Sequence, residues 1–67
     1  MATVYVHAER AREFRDLFFK WKRERDPGSI VMEPPEGPPV GEEKQFAMVD
    51  DDFLPYMRAK GFPFRAG

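Results

Sequence analysis

Between Glu9 and Arg25, apolar side chains recur at Ala11, Phe14, Leu17, Phe18 and Trp21. At about 100° per residue this spacing gathers them on one stripe of a helix. Phe19 falls off the stripe, with Arg12, Arg15, Lys22 and Arg23 around it. The stripe predicts a core-facing helix, and the displaced aromatic among cations predicts a contact surface. Upstream, Val4 and Val6 alternate with Thr3, Tyr5 and His7, the period of a half-buried strand. Asp26-Pro27-Gly28 ends the helix, because the residue before proline avoids the helical region and glycine tolerates the stop. Ser29 to Glu33 reads as a short second strand. Lys44 to Asp50 reads as a third, with Phe46 and Met48 on one side and Gln45, Ala47 and Val49 on the other. Asp50, Asp51 and Asp52 suit the start of a second helix running to Lys60, with Pro55 in its first turn and Gly61 as its stop. Phe62 and Phe64 flank Pro63 in a last extended piece, which the proline restricts to a sheet edge.

Strand, helix, strand, strand, helix, short strand is the order of a small α+β domain of the ferredoxin-like, split β-α-β kind. The expected form is a two-layer sandwich, an antiparallel sheet with two helices on one face. Residues 1–67 make one domain, and the segment 33–43, with four prolines and two glycines, is its connecting loop. In this arrangement Val4, Val6, Ala47 and Val49 meet the helices. Tyr5, Phe46 and Met48 then share the open face of the sheet.

Size changes the meaning of that open face. A chain of 67 residues buries only about 60% of its unfolded surface and needs further stabilisation. Cysteine is absent, so disulfides and thiolate zinc sites are excluded, and the single histidine, His7, cannot build an all-histidine site within one chain. Self-association remains, and an apolar face formed by Tyr5, Phe46 and Met48 predicts a homodimer. No stretch reaches the roughly 20 apolar residues of a membrane span, and no basic-then-apolar leader opens the chain, which predicts a cytoplasmic protein. Asparagine is absent, glutamine occurs once and a third of the residues are charged, a profile that leans toward a thermophilic source. The net charge of -1 conceals an asymmetry: residues 1–25 hold seven basic and four acidic side chains, residues 26–67 four basic and eight acidic. Such halves steer an anionic partner to the helix, or one copy of the chain to another.

Among candidate chemistries, Val4-Tyr5-Val6 and Lys44-Gln45-Phe46-Ala47-Met48-Val49 resemble the two short motifs of the RNA recognition motif. The resemblance implies base stacking on Tyr5 and Phe46. It departs from that pattern at Gln45, Met48 and Asp51, and covers about nine residues. Phe19 with Arg12, Arg15, Lys22 and Arg23 offers a second nucleic-acid surface, diluted by Glu13, Asp16 and Glu24. Asp50 to Asp52 could hold a magnesium ion as a nuclease does, but three successive carboxylates at a helix start suit capping better. A lone histidine beside one serine and one threonine leaves almost no material for a nucleophilic triad. Pro35-Glu36-Gly37-Pro38 has the spacing of a polyproline ligand, weakened by its glycine and acids. The expected protein is a non-enzymatic binding or accessory module without cofactor or metal, which self-associates through its sheet. Nucleic-acid binding is the alternative, and a metal-dependent nuclease a distant third.

Overall fold

Alternation at Val4 and Val6 makes the first strand, β1 (Ala2–His7), the middle of a sheet in the computed structural model, which describes residues 1–67. A 3-10 turn (Ala8–Arg10) leads into α1 (Ala11–Arg25), and β2 (Glu43–Val49), α2 (Phe53–Ala59) and β3 (Arg65–Ala66) follow. The sheet has three strands in the order β2-β1-β3, with both pairings antiparallel, so the chain is of the α+β class. Both helices pack on one sheet face. Phe14 of α1 stacks on Phe46 of β2 at 4.5 Å and meets Phe53 of α2 edge-on at 5.7 Å. Neither helix is long and apolar enough to cross a membrane.

The helix ends follow from their residues. His7 Nδ1 accepts the Glu9 N–H at 3.2 Å, so the segment that the sequence reads as helix from Glu9 begins with a tighter capped turn. After α1, the Asp26 N–H donates to the Lys22 carbonyl and Gly28 adopts φ 96°. After α2, Gly61 turns left-handed at φ 72° and the Phe62 N–H reaches back to the Met57 carbonyl at 2.9 Å. That closure buries Phe62 beside Phe14.

Three expectations are overturned. Ser29 to Glu33 is not a strand. The pairing expected of it is made further on, where the Gly37 N–H donates to the Gln45 carbonyl at 2.8 Å and the Ala47 N–H donates to the Pro35 carbonyl at 3.0 Å. Part of the proline-rich loop therefore lies along the outer edge of β2. Glu36 ties it down, 3.0 Å from Lys44 and 3.9 Å from Arg15. The polyproline spacing is thereby committed to the sheet, and the loop is more than a connection.

The third correction concerns β2. Ala2 pairs with Val49 and Val4 with Phe46, so Ala47 and Met48 together face the single residue Thr3. This is a β-bulge, with Met48 at φ 56°. The extra residue reverses the alternation, and residues three apart, Phe46 and Val49, both enter the core at 0% exposure. Phe46 is therefore not an open-face residue. Met48 is 60% exposed, and Ala47 is only partly buried.

Candidate functional site

Tyr5 leads the predicted contact face, and its cross-strand partners Gln45 and Arg65 share that face with it. The Arg65 guanidinium lies 4.2 Å from the centre of the Tyr5 ring and donates to Glu43 at 2.8 Å. The Glu43 carboxylate holds the Arg65 pKa above its ordinary value, chiefly through this hydrogen bond. Gly67 lies against the ring edge so closely that a Cβ there would strike Tyr5. His7, opposite Glu43, faces Glu42 at 3.5 Å. The open face is thus largely polar, with the half-buried Tyr5 ring lying under Arg65 and against Gly67, whereas the sequence expects Tyr5, Phe46 and Met48 to form an apolar face. With Phe46 inside the core, the stacking platform implied by the RNA recognition motif is not assembled.

The cations predicted around Phe19 divide in two. Arg15 turns to Glu36, and Lys22 pairs with Asp50 at 2.7 Å beside the Trp21 ring. Arg12 and Arg23 make no ion pair and lie on the same side of α1 as the partly buried Phe19. Asp16, Lys20, Arg23 and Glu24 border a shallow hollow at Phe19. Asp16 and Lys20, one helical turn apart, form no ion pair.

Each of the three successive aspartates faces a cation. Asp50 takes Lys22, Asp51 takes the N-terminal ammonium at 3.2 Å, and Asp52 takes Arg25 at 2.6 Å. None caps α2 through its side chain; the Phe53 and Leu54 N–H groups donate to the Asp50 and Asp51 carbonyls instead. No group of three or more metal-ligating side chains converges anywhere in the chain.

Lys22 and Asp50 stand at the edge of the feature that sequence reasoning missed. A cleft of about 390 Å³ runs between α1, the start of the chain and the segment after α1, lined by Phe18, Ile30, Met32, Pro34 and Met48 with Met1 at its end. Ile30 is 91% exposed and Met32 79%, although both belong to a segment that reads as a strand. No protein-family model, curated protein or solved structure matches the chain.

Apolar side chains at that exposure, gathered around one cleft, are unlike the scattered exposed residues normal for a small domain. The cleft exists because the bulge turns Met48 out of β2 while the unpaired segment 29–33 carries Ile30 and Met32 past α1. Its signal in the sequence is the pair Ile30 and Met32, left apolar just after a helix stop. The Lys22–Asp50 pair holds α1 against the end of β2 with side chains only 30% and 26% exposed. Lys22→Met is expected to lower stability by about 1 kcal/mol. Urea titration of Lys22→Met, Asp50→Asn and the double variant measures that coupling as a cycle.

Proposed function

We propose that this chain is a small non-enzymatic binding or accessory module whose contact surface is the methionine-rich cleft. The observation that carries this reading is the exposure of Ile30, Met32 and Met48 around one groove, on a chain whose open sheet face is largely polar. Methionine suits such a surface because its unbranched, polarizable side chain repacks around different apolar groups. The supporting framework is the split β-α-β plan, with residues 35–37 standing where the missing strand would lie; the hydrogen bonds from Gly37 and Ala47 favour it. The environmentally sensitive dye anilinonaphthalene sulfonate tests the surface when titrated into protein dilute enough to leave single chains. One saturable site is expected, lost in Ile30→Asp and Met48→Asp while their circular dichroism is retained. Absent binding, or binding indifferent to both substitutions, overturns the reading.

A second reading keeps a specific support. Arg12, Lys20 and Arg23 have no ion-pair partner beside Phe19. A single-stranded nucleic acid tracking these three cations would give a salt slope of about -2. Phe19→Ala is expected to weaken binding by about 1 to 3 kcal/mol without changing that slope, and Arg23→Gln to flatten it. No retention of labelled oligonucleotides at low salt removes this reading.

A further inference from the structure

Three of the four methionines of this chain, Met1, Met32 and Met48, line the one cleft, and they are between 60% and 79% exposed. The fourth, Met57, lies in the core on α2 with no exposed surface. The three arrive from separate parts of the chain: its start, the segment after α1 and the bulge of β2. Their grouping matters because, in a chain without cysteine, the thioether sulfur is the group that takes up oxygen readily and reversibly.

We propose that Met32 and Met48, with Met1 at the end of the cleft, form an oxidation site that switches the cleft off. Hydrogen peroxide converts their thioethers to sulfoxides, and the surface loses its affinity for apolar groups. This rests on the reading of the cleft as a contact surface and names how that surface is regulated.

The reaction needs only the peroxide. The sulfur lone pair attacks one peroxide oxygen, the O–O bond breaks, and the second oxygen leaves with both hydrogens as water. Sulfur gives up two electrons and the peroxide takes them. A methionine sulfoxide reductase reverses the step with a dithiol: the sulfoxide oxygen leaves as water and the dithiol becomes a disulfide. A thioether has no proton to lose, so access to the sulfur sets the rate, and access divides the cleft methionines from Met57.

Position decides what the added oxygen does. The rest of the apolar lining is Phe18, Ile30, Pro34 and Pro35, and a sulfoxide beside these places a strong hydrogen-bond acceptor where a partner would bury it. The fold does not depend on these sulfurs. Met1, Met32 and Met48 all lie outside the core cluster, Met32 belongs to no helix or strand, and the bulge backbone turns Met48 outward. The one methionine whose oxidation would break the core is enclosed by it. An oxidant therefore reaches the contact surface while the fold stands.

Peptide mass spectrometry after brief exposure to dilute hydrogen peroxide reads the site. Met32 and Met48 are expected to take up one oxygen each at least about ten-fold faster than Met57. The oxidised chain should keep its circular dichroism and urea midpoint, while its affinity for anilinonaphthalene sulfonate falls by at least about ten-fold. Reductases for both sulfoxide epimers should restore that affinity. Met32→Leu combined with Met48→Leu should bind the dye before and after peroxide alike, within about three-fold. Met32→Leu alone, in a segment outside every helix and strand, should show an intermediate loss.

The proposal is overturned if Met57 reacts as fast as the cleft residues, or if the oxidised chain binds dye as the untreated chain does. Loss of the cooperative unfolding transition on oxidation overturns it too, as do leucine variants that lose binding under peroxide as fully as wild type. Untreated wild type separates the two ideas. Absent dye binding there brings down the cleft reading, whereas saturable binding that peroxide leaves unchanged brings down only the oxidation switch.

Discussion

Phe46→Ala is expected to abolish cooperative folding or to lower the urea midpoint by about a third or more. Phe46 has no exposed surface, stacks on Phe14 at 4.5 Å and sits where the sheet meets α1. Truncating a buried phenylalanine costs about 3 to 5 kcal/mol, the lost transfer energy plus the cavity left behind. A domain of 67 residues has a total stability of about 3 to 10 kcal/mol. The change therefore removes from about a third to all of the stability of the fold. Phe46→Leu, which retains more of the volume, should give a smaller loss and a measurable transition. If Phe46→Ala shifts stability by no more than about 0.5 kcal/mol, the value for a surface change, then Phe46 faces outward and the bulge is absent.

The bulge itself predicts an inversion of the usual strand preferences at Met48. Valine is favoured in a regular strand and glycine disfavoured, so an ordinary β2 would be stabilised by Met48→Val and weakened by Met48→Gly. At φ 56° the order reverses. A side chain in the left-handed region costs about 1 to 2 kcal/mol, and branching at Cβ worsens the clash. Met48→Val is expected to destabilise by about 1 to 3 kcal/mol. Met48→Gly relieves the strain, and against the entropy of a freer chain it should gain from a few tenths to about 1 kcal/mol. Chemical denaturation of the three proteins decides by sign alone.

Much of the fold is legible because local rules govern it. The stripe of Ala11, Phe14, Phe18 and Trp21 is buried as its spacing demands, with Leu17 packed at its margin. Proline and glycine stop both helices where their backbone restrictions require, and the alternation at Val4 and Val6 sets the inward face of β1. The misreadings have two causes, both set by contacts between separate parts of the chain. Assigning Phe46 and Met48 to one face assumes an unbroken period of two through β2, and a bulge adds a residue that no pattern in seven positions announces. Ile30-Val31-Met32 has the composition of a strand. Its place beside β2 is taken by residues 35–37, held through Glu36 by cations from two separate elements.

The candidate site was legible in halves. Phe19 stands out in the sequence because helical geometry leaves it no place in the core, and Met48 stands out as apolar at a strand end. Neither fact indicates the cleft, which needs α1, the segment after it and the end of β2 brought together. The same holds for the charges: sequence shows Arg15, Lys22 and three aspartates, but not that Arg15 and Lys22 are already held by Glu36 and Asp50.

By itself, then, the sequence determined the class of the fold, the core face of α1, the ends of both helices and the absence of cysteine chemistry, since each depends on residues close in the chain. Only the tertiary structure decided which face Phe46 takes, which cations remain free and where the apolar surface gathers. Those outcomes depend on register and on partners far apart in sequence, where one inserted residue exchanges the inside of a strand for its outside.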